Sequence, residues 1–285
     1  MTMSIFHRIL FAGDLSDRSL AAFGAACSLA GESGTRLHVL NVAETRDDRK
    51  EIEDELRAFY RAAPALALDY LVRVGDAAYA ILRAADEVDA DLIVVGTHGR
   101  SGLDRLLCGS VAESVLQRSI RPVLVVRQRD LSRTAKPIRI ILHPTDFSGR
   151  SRPALGVALA LARSHRARLV LLHAGPGDLG PERAELARLK EQSSQAGVDV
   201  SVETRFGQGE PVSEILRAAR DLGCDLIVLG THGRTGFDRR MVGSVAELVI
   251  REAPCLTLVV KDVPGASTSL EAKDHPAAQE PAGTA

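Results

Sequence analysis

VVGTHGRSGLDRLLCGSVAE occupies residues 94–113, and VLGTHGRTGFDRRMVGSVAE occupies residues 228–247. The glycines of the two stretches are in register. Gly96, Gly99, Gly109 and Ser110 give G-x2-G-x9-G-S in the first copy, and Gly230, Gly233, Gly243 and Ser244 give it in the second. Each stretch begins at the end of an apolar run and ends at the start of an amphipathic one. The spacing predicts a buried strand, a glycine-punctuated loop and a helix, in that order.

The repetition extends outward in both directions. RILFAGDLS at residues 8–16 matches IILHPTDFS at 140–148, so Asp14 and Asp146 each end an apolar run in an Asp-x-Ser. RLHVLNV at 36–42 matches RLVLLHA at 168–174, and Gly75-Asp76-Ala77 matches Gly209-Glu210-Pro211. DLIVV from Asp91 matches DLIVL from Asp225. A period of roughly 130 residues is too long for a solenoid unit and suits a duplicated domain.

Within the first half, strands are expected near 8–13, 36–42, 67–74, 91–96 and 122–127, with helices near 17–32, 47–62, 77–88 and 109–119. In the helix near 47–62, Ile52, Leu56, Phe59 and Tyr60 recur at helical spacing and make one apolar face. The second half repeats the strands at 138–143, 168–174, 198–206, 225–230 and 256–261. The strands read as apolar on both faces, which suits buried parallel strands. Alternating β and α elements with right-handed crossovers predict an α/β fold: two tandem doubly wound domains, each a parallel sheet with helices on both faces. The expected boundaries are 1–128 and 138–263, joined by a polar linker at 129–137. The Pro-, Ala- and Gly-rich tail at 264–285 has too few large apolar residues to pack and is expected to be disordered.

Composition narrows the function. A net charge of −1 over 285 residues offers no polyanion-binding surface, which argues against nucleic acid as a partner. The mixed-sign run RDDRKEIEDELR at 46–57 reads as a solvated helix face. The cysteines Cys27, Cys108, Cys224 and Cys255 form no CxxC and match no zinc spacing, so they read as small buried residues in a reducing compartment. His7 and Arg8 interrupt the N-terminal apolar stretch, so no signal peptide is expected there. No apolar run reaches membrane-spanning length. A cytoplasmic protein without membrane partners is the expectation.

The loop joins the C-terminal end of a strand to a helix N-terminus, the edge where doubly wound sheets bind ligands. A helix N-terminus presents unpaired N–H groups and partial positive charge, which suits phosphate. Ser110 and Ser244 could cap their helices or offer a hydroxyl to a phosphate oxygen. The plain alternative is that the glycines make turns and the serines are N-caps, and duplication copies structural residues as faithfully as binding ones. Asp14 and Asp146 would repel phosphate, so they suit ribose hydroxyls at the other end of a nucleotide; a turn aspartate is the competing reading. Arg100, Arg105, Arg234 and Arg239 supply charge to the loops, and His98 and His232 lie in them. No Walker-type G-K-[ST], nucleophile with its base, or carboxylate cluster for a metal is visible. The pattern reads as a binding site without designed chemistry.

The G-x2-G-x9-G-[ST] loop, the Asp-x-Ser after the first strand and the apolar ending PVLVV at 122–126 together resemble the universal stress proteins, over residues 4–127 and 136–261. The resemblance implies five-stranded domains with strand order 3-2-1-4-5, so that Asp14 and Gly96 share one crevice. It implies the ATP-binding branch, with the loop glycines and serine on ribose and phosphates, the aspartate on the ribose side, and the residue ending the second strand holding adenine through its backbone. The implied site residues are Asp14, Val42, Gly96, Gly99, Gly109 and Ser110, then Asp146, Ala174, Gly230, Gly233, Gly243 and Ser244. Mg²⁺ would accompany the phosphates. Family members commonly dimerise through their fifth strands, which implies a pseudo-dimer within this chain along 122–127 and 256–261, or a homodimer of chains.

Three departures from the family pattern stand out. Ala12-Gly13 replaces the Pro-Thr found at 144–145, Ala174 is smaller than the usual valine, and the second half reads Ala-Pro254-Cys-Leu-Thr, with the proline before its last strand displaced. No loop glycine is lost, so both sites are expected to be competent. The leading expectation is an ATP-binding stress-response protein with slow or no hydrolysis. The alternatives are a nucleotide-independent adaptor of the same fold and, least favoured, an ATP-dependent enzyme of the related adenine-nucleotide hydrolase fold.

Overall fold

The computed structural model describes residues 5–30, 34–43, 45, 49–61, 66–97, 109–127, 137–175, 180–195, 201–231 and 243–261. The expected linker, apart from Pro137, and the expected tail lie outside these residues. The first half comprises β1 (Arg8–Ala12), α1 (Ser19–Ala30), β2 (Arg36–Ala43), α2 (Arg49–Phe59), β3 (Ala67–Val74), α3 (Ala77–Glu87), β4 (Leu92–Gly96), α4 (Ser110–Arg118) and β5 (Val123–Val126). The second comprises β6 (Ile140–Pro144), α5 (Arg152–His165), β7 (Arg168–Ala174), α6 (Gly180–Gln195), β8 (Val202–Gly207), α7 (Pro211–Leu222), β9 (Leu226–Gly230), α8 (Ser244–Glu252) and β10 (Leu256–Val260).

All ten strands form one sheet, in the order β3-β2-β1-β4-β5-β10-β9-β6-β7-β8. Pairing within each half is parallel. At the middle of the sheet β5 and β10 pair antiparallel, with Val125 opposite Thr257, Leu124 opposite Leu258 and Val123 opposite Val259. Strand direction therefore reverses at this seam.

Side-chain alternation along the strands builds two faces. Ile9, Phe11, Leu92, Val94, Leu124 and Val126 point to one face and pack against α1 and α2. The same cluster continues into the second half, where α5 and α6 contribute Val157, Leu161 and Leu186. Leu10, Ile93, Val95, Val123 and Val125 point to the other face, under α3 and α4. There Val259 of β10 and Ile250 of α8 cross the seam into the first half's cluster, while the rest of α7 and α8 cover β6, β7 and β9.

Cross-seam hydrogen bonds reinforce this packing. Arg127, just past β5, donates from its guanidinium to the Arg251 carbonyl in the last turn of α8. Lys261, just past β10, donates from Nζ to the Gln117 carbonyl of α4 at 2.7 Å. Each half thus sends a cation to the negative end of the other half's final helix. Burial pulls the Lys261 pKa down to about 8.

The expectation that the strands are apolar on both faces fails at the sheet edges. β3 (ALDYLVRV) and β8 (VETRFG) are mostly half-buried. Each has a neighbour on one side only, and their polar residues form ion pairs: Arg73 with Glu87 at 2.6 Å and Arg168 of β7 with Glu203 at 3.0 Å. Charged edges of this kind discourage pairing with another chain. The aspartates that open the DLIV repeats are structural. Asp91 accepts from the His7 and Arg8 amides at 2.7 and 3.1 Å, and Asp225 from the Arg139 and Ile140 amides at 2.9 and 3.0 Å. Cys224 and Cys255 are buried, and burial pushes the half-buried Cys27 thiol up to about 11; Cys108 lies outside the described residues. Among the described residues no helix is long and apolar enough to cross a membrane.

Candidate functional site

In the first half β1 and β4 are neighbours, yet the chain leaves β1 for α1 on one face and β4 for α4 on the other. This divergence opens a crevice at the C-terminal strand ends. A cavity of about 210 Å³ lies there, and Asp14, Val42, Gly96, Gly109 and Ser110 all line it. The second half has its counterpart of about 400 Å³, lined by Asp146, Ala174, Gly230, Gly243 and Ser244. Gly99 and Gly233, with the histidines and arginines of the loops, lie outside the described residues.

The helix entrance differs from the expectation that serine caps it. Ser110 and Ser244 are the first helical residues; Gly109 and Gly243 hold the N-cap positions, and neither helix receives a side-chain cap bond. The neighbouring helices contrast with this. Asp76 caps α3 by accepting from the Tyr79 amide at 2.8 Å, and Glu210 caps α7 by accepting from the Ser213 amide at 3.0 Å. The N-termini of α4 and α8 thus border the cavities without a carboxylate or hydroxyl of their own turned back on them, as anion binding needs.

Gly109 adopts φ +76, and a Cβ there would strike the Thr97 carbonyl oxygen. Glycine is therefore required for the chain to fold back against the end of β4. Gly243 enters its helix in another conformation: its φ is −61, and its N–H donates to the Thr231 carbonyl at 2.7 Å. Thr97 and Thr231, each 3% exposed, line the two cavities. Their identity at matched positions in both repeats was the available signal, and the spacing argument passed over them.

Across each cavity stands an aspartate in a tight turn. Asp14 Oδ1 accepts from the Ser16 amide at 3.2 Å and from Ser16 Oγ at 2.6 Å. Asp146 Oδ1 accepts from the Ser148 amide at 3.1 Å and from Ser148 Oγ at 2.7 Å. The residue between is left-handed in both copies, Leu15 at φ 60 and Phe147 at φ 61. For bulky side chains this conformation is strained and persists only where the surroundings hold it. The turn expected as the competing reading is present in both copies, and it fixes each carboxylate at the cavity wall.

Much of the remaining wall comes from residues outside the glycine motif. Ala77 and Ile81 of α3, one helical turn apart, line the first cavity; Pro211 and Ile215 of α7 line the second. Asn41 Nδ2 donates to the Gly13 carbonyl at 3.0 Å, and His173 Nδ1 donates to the Thr145 carbonyl at 2.8 Å, which fixes the proton of that imidazole on Nδ1. Behind the second turn His143 is fully buried, with Nδ1 3.0 Å from the Val228 carbonyl, and burial pulls its pKa down to about 4. Among the described residues no group of three or more His, Cys, Asp or Glu could hold a metal ion.

Comparison with known proteins agrees with this architecture. The universal stress protein family model matches residues 5–127 and again residues 137–261. A universal stress protein of Mycolicibacterium smegmatis is 31% identical over 185 residues, covering 60% of this chain and 62% of that protein. The aligned part is thus less than two thirds of that relative's length. One from Thermus aquaticus is 36% identical over 137 residues, covering 43% of this chain and 98% of that protein. The crystal structure of a universal stress protein from Archaeoglobus fulgidus matches with a TM-score of 0.71 at 21% identity, over 91% of this chain and 99% of that one, a likeness of fold.

Proposed function

Because the chain belongs to the universal stress protein family, we propose that it is a cytoplasmic stress-response regulator that binds ATP in each half. The observation that carries this reading is the pairing, twice over, of an uncapped helix N-terminus with a turn-fixed aspartate across one cavity. Phosphate would sit at the backbone N–H groups that begin α4 and α8, beside Gly109–Ser110 and Gly243–Ser244, with Gly99 and Gly233 contributing from the loops. Asp14 and Asp146 would accept hydrogen bonds from the ribose hydroxyls. Gly96 and Gly230 would give the ligand room against the sheet edge, and Val42 and Ala174 would meet the adenine base. Mg²⁺ would neutralise phosphate charge and be held mainly by the phosphates themselves.

Hydrolysis should be slow or absent. The carboxylates among the described lining residues are Asp14 and Asp146, and each is engaged by its own turn serine. A nucleotide that persists suits a switch: its presence would stabilise a surface that protein partners read. The two halves would act as a pseudo-dimer within one chain, through β5 and β10.

The test is calorimetric titration of the nucleotide-stripped protein with ATP and Mg²⁺, repeated on Gly109→Val and Gly243→Val. Two binding events, each abolished by its own substitution, are expected. No binding to the wild type, with an equilibrium assay in agreement, would replace this reading with a nucleotide-independent adaptor.

A further inference from the structure

We propose that the Tyr60 hydroxyl is the positioning group of the first site, so that the Asp14 turn depends on the segment that ends α2 while the Asp146 turn supplies itself. In the second half, the Phe147 amide donates to Thr145 Oγ1 at 3.1 Å, and that oxygen lies 3.3 Å from Ser151 Oγ. Ser151 Oγ spends its own hydrogen on the Ser148 carbonyl at 2.8 Å. The Thr145 hydroxyl therefore accepts from the strained residue of the turn and donates to the serine behind it.

Position 13 has no hydroxyl, because Gly13 stands where Thr145 stands. The same bonds are nevertheless made. The Leu15 amide donates to Tyr60 Oη at 3.1 Å, and Tyr60 Oη is hydrogen-bonded to Ser19 Oγ. Ser19 Oγ donates to the Ser16 carbonyl at 2.6 Å, so the proton between Ser19 and Tyr60 is the tyrosine's. A hydroxyl from 45 residues away does the work of one from two residues away.

Gly13 is the counterpart of this exchange. A Cβ at position 13 would collide with Tyr60 Oη and come within 2.7 and 2.8 Å of the Phe11 ring. The tyrosine is fully buried and is held by Phe11, Phe23 and Phe59, with ring centroids 5.1, 5.0 and 4.9 Å away. Its hydroxyl is thus aimed by packing, and Leu15 at φ 60 is held by it. The turn fixes the Asp14 carboxylate, so the first site inherits a dependence on the docking of α2.

The affinity consequence rests on the ATP reading above; the consequence for the turn does not. The experiment measures amide hydrogen exchange at Leu15 and Phe147, and ATP–Mg²⁺ titration, on the full chain carrying Tyr60→Phe. Loss of a hydroxyl that satisfies the part-buried Leu15 amide and the buried Ser19 hydroxyl should speed Leu15 exchange and weaken the first site about tenfold each. Phe147 exchange and the second site should not change. A triple variant, Phe11→His with Gly13→Thr and Tyr60→Phe, copies His143 and Thr145 and should restore both first-half readouts.

Unchanged Leu15 exchange in Tyr60→Phe would overturn the proposal. So would equal weakening of both sites, or a folded triple variant in which Leu15 stays unprotected. If the triple variant does not fold, Tyr60→Phe alone decides. If the wild type binds no ATP, the functional reading falls and Leu15 exchange still decides the role of Tyr60.

Discussion

The two cavities share a strand topology and a left-handed turn but differ in side chains and at the helix entrance. Around Asp14 stand Phe11, Gly13, Asn41 and Val42; at the matching positions around Asp146 stand His143, Thr145, His173 and Ala174. What survives the exchange is the hydrogen-bonding job. Asn41 and His173 both donate to the carbonyl that precedes the aspartate. Tyr60 and Thr145 both satisfy the left-handed residue that follows it. The two sites thus keep conformation and polar satisfaction where residue identity differs, because a buried polar group left without a partner costs its full desolvation.

The comparison can be broken at three levels. The largest effect is expected at the seam, where the halves share one buried cluster. Val125→Asp and Val259→Asp strike matched residues, each 1% exposed, that pack in one shared cluster. Each should cost more than about 4 kcal/mol in denaturant unfolding, enough to split or unfold the chain. Unequal losses would mean that one strand carries the seam.

Next comes acid. The folded pKa of His143, about 4, lies below its ordinary value of 6.5, so the unfolded chain takes up that proton first. The stability it protects is complete above pH 6.5, falls as pH drops towards 4, and levels off below, a loss of about 3 kcal/mol. His143→Phe, which copies Phe11, should flatten this part of the pH–stability curve. An unchanged acid limb would assign the loss to other groups.

The smallest effect separates the two loop glycines. Gly109→Ala meets both a positive φ and the Thr97 carbonyl, and should cost about 1–3 kcal/mol in thermal unfolding. Gly243→Ala, at φ −61, should cost less than about 1 kcal/mol. Equal costs would show that the two helix entrances are not conformationally distinct.

The sequence made some of this legible and hid the rest for definable reasons. The strand spans at 67–74 and 168–174 coincide with β3 and β7 because short Leu-, Val- and Tyr-containing runs, each followed by a glycine, carry a clear local signal. β3 and β8 were misread as buried on both faces, because position within a sheet is a tertiary property that a single segment does not carry. The register of the two glycine stretches brought attention to the residues that line the cavities. Tyr60 was visible only as one member of an apolar helical face. Its ring obeys that periodicity, but its hydroxyl acts on Leu15 across the fold, and no local pattern reports such a contact. Gly13 was noticed as a departure from Pro-Thr, and the contact with Tyr60 supplies its physical reason.

The reversal of strand direction between β5 and β10 has a geometric consequence. Strands of the first half end on one margin of the ten-stranded sheet, and strands of the second half end on the opposite margin. The two cavities therefore open towards opposite poles. A rigid body resting on either margin meets a single mouth, and anything gripping both must straddle the whole width of the sheet. The molecule has the form of a two-ended coupler, with a socket at each end and a continuous hydrogen-bonded plank between them.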